Sequence, residues 1–352
     1  MTGGKRFLEA QRFFIMAVLV MLIGSGSAVT AKEYGSSNPL REVLKSFSLG
    51  EPMKKGNIAL YPVIRQQPSR MDETLVTLDE AMEKGWLAVT ELKPEDVNKI
   101  MVKNDSSRWV FIMAGEILTG SKQDRILKDD VLIPPRSGRI MVNAFCVEAD
   151  RWTYKSDKFS SNRTASNIAV RQEARASQAQ SGVWEAVAKT QSSLGYSSGT
   201  KALNETYRAP AVEKGIDDLY SALYGLPGKE PRAVGVVVAI GDEVLCADLF
   251  GSHELLRSLW PKLLKSYLLE AVSRSSESAD VARHEAQSLL DKAASSEASP
   301  SDPPGEGKLY TFEGSAVSGA VLTYRDKLIH SDIFPKTSRK KIDHVRPIQR
   351  NY

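Results

Sequence analysis

Cysteine is almost missing from this chain: 352 residues contain only Cys146 and Cys246. No disulfide framework organises such a sequence. Both thiols sit in apolar, strand-like runs (Ala144 to Val147 and Val244 to Ala247), where a cysteine is ordinarily a core residue, although an oxidising compartment would permit a bridge. Histidine is scarce too. His253, His284, His330 and His344 stand at no spacing from serine or cysteine that marks a nucleophile with its base. No Cys/His/Asp/Glu spacing resembles a zinc or calcium site, so no metal and no cofactor is implied. Charge of one sign is equally short. The net charge is +4, and most of it lies at the ends. The first 31 residues carry Lys5, Arg6 and Arg12 against Glu9, and the stretch from Lys336 carries six cations against Asp343. The body between them is slightly acidic, which excludes a basic nucleic-acid-binding surface.

The N-terminus has the form of an export signal. Its positive start is followed by eleven apolar residues, Phe13 to Ile23, then by small residues leading to Val29-Thr30-Ala31, which suits cleavage after Ala31. Crossing a bilayer takes about 20 apolar residues, so the run is short for a permanent anchor, although it would act as one if uncleaved. No cysteine follows it, which excludes a lipid anchor there. The expectation is a periplasmic or secreted protein with no membrane span after cleavage.

The remainder reads as a single α+β domain over 58–335, with a mixed or mainly antiparallel sheet built from hairpins. A loose lead-in is expected over 32–57, a helical insert over 162–224, a polar excursion and linker over 273–308, and a basic tail over 336–352. Ile58 to Val63 reads as a strand. Thr77-Leu-Asp-Glu80 is a capping box opening a short helix that Gly85 closes. Asn104-Asp-Ser-Ser107 and Pro134-Pro-Arg-Ser-Gly138 each lie between apolar runs and suggest two hairpins. The clearest pattern is the hairpin around Gly241-Asp242. Behind it comes a helix capped by Ser252 with a wide leucine stripe, which Pro261 should kink or restart. Gly235 to Phe250 aligns without gaps to Gly319 to Phe334, sharing glycine, Val237/Val321, Asp242/Asp326, Asp248/Asp332 and Phe250/Phe334. Either two hairpins obey one turn rule or the chain repeats itself.

Candidate chemistry lies in the middle block. Gly115 to Gly120 with Lys122 looks like a phosphate loop but fails as one: Ser121 intervenes before the lysine, and no Ser or Thr follows it. Lys122, Gln123 and Arg125 nevertheless offer donors, and arginine is a planar fork for carboxylate or phosphate. Glu148 and Arg151 close another strand, and Trp152 could stack on a base or sugar or hold a guanidinium. These six residues form the candidate binding site. The plainer reading pairs Glu116 or Glu148 with Arg125 or Arg151 and leaves Trp152 as a core cover. Asp248 and Asp332 each precede an apolar pair; such residues usually cap a turn, and a paired catalytic role is the sharper reading.

At these motifs the chain resembles the ARG and rhodanese-phosphatase-superfamily-associated protein domain family. The matching stretches are Gly115-Glu116 through Arg125, Val131 to Pro134, Cys146 to Trp152, Asp248 to Phe250, and Leu259 to Leu264 with Tyr267. Asp124 stands where asparagine is more usual. The family name implies association with ADP-ribosylglycohydrolases and has no established activity behind it. Two functions follow as expectations. One is a non-catalytic domain of the bacterial cell envelope that binds a small ligand or an envelope partner. The other is an enzyme or binding protein for ADP-ribose, nucleotide- or sugar-derived ligands, with Glu116 or Glu148 as acid/base.

Overall fold

The computed structural model describes residues 38–67, 74–94, 96–150, 156, 158–176 and 179–336. The leader, the tail beyond Lys336, and Arg151 and Trp152 of the candidate site lie outside the described residues.

From residue 38 the expected lead-in is folded. It forms α1 (Leu40–Leu44), β1 (Phe47–Leu49) and β2 (Met53–Lys55), followed by β3 (Ile58–Arg65). Its polar composition hid three anchors, Leu40, Phe47 and Leu49, which are buried. Asn38 donates to the carbonyls of Ala293 and Ser296 at 2.7 and 2.9 Å.

A β-rich subdomain follows: β4 (Leu75–Thr77), α2 (Leu78–Glu83), β5 (Leu87–Glu91), β6 (Lys99–Asn104), β7 (Trp109–Ile112), β8 (Glu116–Gly120), β9 (Arg125–Leu127), β10 (Val131–Ile133), β11 (Arg139–Cys146) and β12 (Phe159–Ala165). Thr77 caps α2 by accepting from the Glu80 amide, as its capping box implies. The strands form a three-stranded sheet, β10-β7-β4, and a six-stranded one, β12-β8-β9-β11-β6-β5. Their apolar faces share a core that includes Val89, Val102, Val110, Leu118, Leu127 and Val142.

The two local hairpins expected here do not form. β6 pairs with β11 and β7 with β10, both antiparallel, so two long strands run side by side through a common corner. The turn-type residues make that corner: Asn104 donates to the Pro134 carbonyl at 3.0 Å, and the Arg136 amide to the Ser106 carbonyl at 2.8 Å. Turn composition marks where a chain bends, not which strand it then pairs with.

Helices α3 (Ile168–Ala176), α4 (Gln180–Ser193), α5 (Leu203–Tyr207), α6 (Pro210–Leu223) and α7 (Leu226–Lys229) form the helical insert. The chain then returns through β13 (Ala233–Ile240), β14 (Glu243–Phe250), α8 (His253–Val272), α9 (Arg283–Ser295), β15 (Ala298–Ser301), β16 (Lys308–Glu313), β17 (Val317–Tyr324) and β18 (Lys327–Pro335). Ser252 caps α8 by accepting from the Leu255 amide at 3.1 Å, and the helix continues as one element through Pro261. The stretch expected as excursion and linker supplies α9 and β15. Leu289, Leu290 and Ala293 make the weak stripe of α9 a buried one.

All nine strands outside the β-subdomain join one sheet in the order β1-β3-β13-β14-β18-β17-β16-β15, with β2 also on β3. Every residue of β13 is buried because both faces are covered. Val236, Val238 and Ile240 pack with Leu256, Leu259 and Leu263 of α8. Val237 and Ala239 pack with Leu289 and Leu290 of α9.

The repeat is structural. Hairpins β13–β14 and β17–β18 have the same register, with Gly235 opposite Leu249 and Gly319 opposite Ile333. The pairing shifts at the same place in each, between Val238 and Ala239 and between Leu322 and Thr323. They meet through β14 and β18 with Asp248 opposite its own counterpart Asp332, so a local two-fold axis passes between the two aspartates. The relation extends outwards: Tyr61 of β3 lies opposite Val237, and Tyr310 of β16 opposite Val321. The β-subdomain and helical insert interrupt one half between β3 and β13; three residues connect the equivalent strands β16 and β17.

The two equivalent glycines serve one purpose. A methyl group on Gly235 would run into the Asp248 carbonyl, and one on Gly319 into the Asp332 carbonyl. Gly235→Ala and Gly319→Ala are each expected to destabilise by about 2 kcal/mol or more, as overpacking against backbone does. Urea unfolding of the two variants should give similar losses.

Candidate functional site

Four of the six sequence-derived site residues lie among the described residues, and three of those converge. Arg125 opens β9 opposite Cys146, the last residue of β11, and Glu148 lies two residues further on. The Gln123 side chain donates to the Glu148 carbonyl at 2.8 Å, while the Glu148 carboxylate accepts from the Asp124 amide at 3.1 Å. Cys146 Sγ donates to Gln123 Oε1 at 3.1 Å. Gln180, on α4, bonds both the amide and the carbonyl of Cys146 at 2.8 Å. Gln123, Arg125 and Glu148 are all buried. Lys122 is half-buried on the same loop. Burial pushes the Cys146 thiol up to about 11, which leaves it protonated and a poor nucleophile at neutral pH.

Arg125 and Glu116 take partners other than the expected ones, and a pair with Arg151 lies outside the described residues. Arg125 reaches Glu91 at 3.3 Å, and Glu116 pairs with Lys262 of α8. Both alternatives were invisible in the sequence because their members are far apart along it. An open depression of about 550 Å³ begins at Leu92, the residue after Glu91, and is lined also by Lys93, Asp96, Val97, Lys99 and Met141. Val97 and Met141 are two of the few large apolar side chains exposed to solvent among the described residues.

A second cluster lies on the two-fold axis and is shut from solvent. Arg171 of α3 grips Asp248 with both terminal nitrogens, and Tyr267 of α8 donates to the same carboxylate at 2.6 Å. One turn along α3, Arg175 holds Asp332 at 2.6 Å. His330 lies between Asp130 at 2.8 Å and Asp248 at 3.2 Å, with Phe250 against its ring. Carboxylates on both ring nitrogens call for two N–H donors, hence an imidazolium. Burial pulls the His330 pKa down, but Asp130 and Asp248 more than offset it, to about 9. Burial also opposes ionisation of Asp248, yet Arg171 and His330 hold its pKa well below the usual carboxylate range.

Asp248 and Asp332 are therefore brought together, but neither caps a turn, and each is neutralised by an arginine from the insert. Their repeat was the one sequence signal for this cluster. Arg171, Arg175 and Asp130 gave none, because they come from separate elements, and Tyr267 was marked only by the family resemblance. Glu116 is a third closed group: it accepts from Lys262 and from the Met113 amide, and burial raises its pKa despite the lysine. Among the described residues, no group of three or more His, Cys, Asp or Glu side chains is placed to hold a metal ion.

A two-fold antiparallel sheet with one half interrupted by a β-subdomain and helices defines an α+β domain whose polar strand ends are grouped at one place. The family model for the ARG and Rhodanese-Phosphatase-superfamily-associated Protein domain matches residues 46–334, and the chain belongs to that family. No curated protein and no solved structure matches it.

Proposed function

We propose that this protein is a non-catalytic binding domain of the bacterial cell envelope, which takes a small ligand or an envelope partner at Gln123, Arg125 and Glu148. The observation that carries this reading is the meeting of those three side chains, Gln123 bonding both the Glu148 carbonyl and the Arg125 guanidinium. Of the groups suited to acid–base work, Glu148 accepts from the Asp124 amide, Glu116 is engaged with Lys262, and Asp248 with Arg171, Tyr267 and His330. Placement outside the cytoplasm rests on the charged, apolar and small-residue succession of the first 31 residues. Among the described residues, no helix is long and apolar enough to cross a membrane.

The second reading, an enzyme or binding protein for ADP-ribose, nucleotide- or sugar-derived ligands, draws on the family association and on the raised pKa of Glu116. A general acid must reach its substrate, and Glu116 is fully buried against Lys262, so the geometry favours binding. Mass spectrometry of the protein purified from a periplasmic extract should find a co-purified small molecule in wild type. Folded Arg125→Ala should lose it. Equal retention by the variant would remove this site from consideration.

A further inference from the structure

Arg125 is a buried cation with too few close acceptors. Its residue exposure is 1%, and a guanidinium carries five N–H donors. Its contacts are the Gln123 carbonyl at 3.3 Å, Gln123 Oε1 at 3.4 Å and Glu91 Oε1 at 3.3 Å. Its Nε has no partner. Charge-assisted bonds of this kind normally lie at about 2.7–2.9 Å, so every contact that Arg125 makes is long.

The other two well-buried arginines show what a satisfied site looks like in this fold. Arg171 and Arg175 also leave Nε without a partner, but Arg171 takes the Asp248 carboxylate with two nitrogens, and Arg175 holds Asp332 at 2.6 Å. Their charge is met at close range. That of Arg125 is met by one carboxylate oxygen at 3.3 Å, and an under-bonded buried ion is costly.

Resting on the binding reading above, we propose that the occupant presents an oxyanion, a carboxylate or phosphate group, to the Nε and Nη edge of Arg125. Two parallel bonds on that edge match the guanidinium fork. Glu91, the carboxylate that meets Arg125, has a side chain 14% exposed and precedes Leu92, which lines the depression.

The test uses the whole mature protein with potassium phosphate or potassium acetate as probes, against potassium chloride at equal ionic strength and pH 7. A ligand that binds only the folded state raises the melting temperature saturably. The expected result is such a rise with at least one oxyanion, accompanied by slowed hydrogen exchange of the backbone over 120–127. Both effects should be lost in Arg125→Lys, which keeps the charge and lacks the fork. The exchange measurement on wild type decides the question even if that variant fails to fold. Phosphate acting alone identifies a phosphate-bearing ligand, and acetate acting alone a carboxylate-bearing one. No response to either anion, a rise without protection at 120–127, or an equal rise in Arg125→Lys overturns the proposal. A co-purified ligand that has no oxyanion overturns it too, while leaving the binding site itself standing.

Discussion

Asp248→Ala is expected to be the most damaging single substitution in the domain, lowering the unfolding free energy by about 3–5 kcal/mol or more. Three donors lose their acceptor at once: Arg171, Tyr267 and one nitrogen of His330. The side chains of Arg171 and His330 are 1% and 0% exposed, so water cannot replace the carboxylate. A typical domain has about 5–15 kcal/mol in all, and the variant should therefore be marginal. Urea unfolding measures the loss. The informative control is Arg171→Met with Asp248→Leu, which removes both charges and replaces them with apolar groups. Exchanging a buried ion pair for apolar side chains is often close to neutral, so the double variant should recover much of the stability. If Asp248→Ala unfolds at wild-type urea concentrations, the two-fold axis does not carry the energetic weight given to it here.

Alkaline solution should weaken the protein in a window set by His330. Its folded pKa, about 9, lies above the ordinary value of 6.5. Its contribution is therefore fully present below pH 6.5 and is lost as pH rises through 9. The shift corresponds to roughly 3 kcal/mol at about 1.4 kcal/mol per unit. Above pH 9 the chain holds Asp130 and Asp248 beside a neutral ring, with Arg171 still charged beside Asp248 and Arg175 near Asp130. Cys146, raised by burial to about 11, adds a loss of the same sign, but only above its ordinary value of 9.0. Unfolding free energy measured from pH 6 to 9 should fall for wild type and stay level for His330→Gln, which begins lower. A parallel slope in both would assign the effect to other groups.

Much of the local structure was legible because it depends on neighbours in sequence. The Thr77 cap, the Gly241-Asp242 hairpin and the Ser252 cap on a leucine-striped helix all satisfy backbone groups within a few residues. Pairing between distant segments was not. Asn104 to Ser107 and Pro134 to Gly138 have the composition of two turns, yet they face each other across one corner, because β6 pairs with β11 rather than with its neighbour. The polar stretch before β3 looked loose since few apolar anchors mark a small helix and two three-residue strands.

The candidate site divides in the same way. That Gln123, Arg125 and Glu148 fall at strand ends follows from apolar runs that stop there, and strand ends gather in space once a sheet forms. Which partner neutralises each charge could not be read, because Glu91, Lys262 and Arg171 reach their partners from 34, 146 and 77 residues away. The sequence alone determined the strongly patterned elements, the likeness of the two hairpins and the donor-rich loop, all products of local chemistry and periodicity. Tertiary structure alone decided that the duplicated aspartates meet on an axis, that two arginines one turn apart seal them, and that Arg125 is left short of an acceptor. Coulomb attraction depends on distance through space, and the folding of a sheet resets that distance without regard to position along the chain.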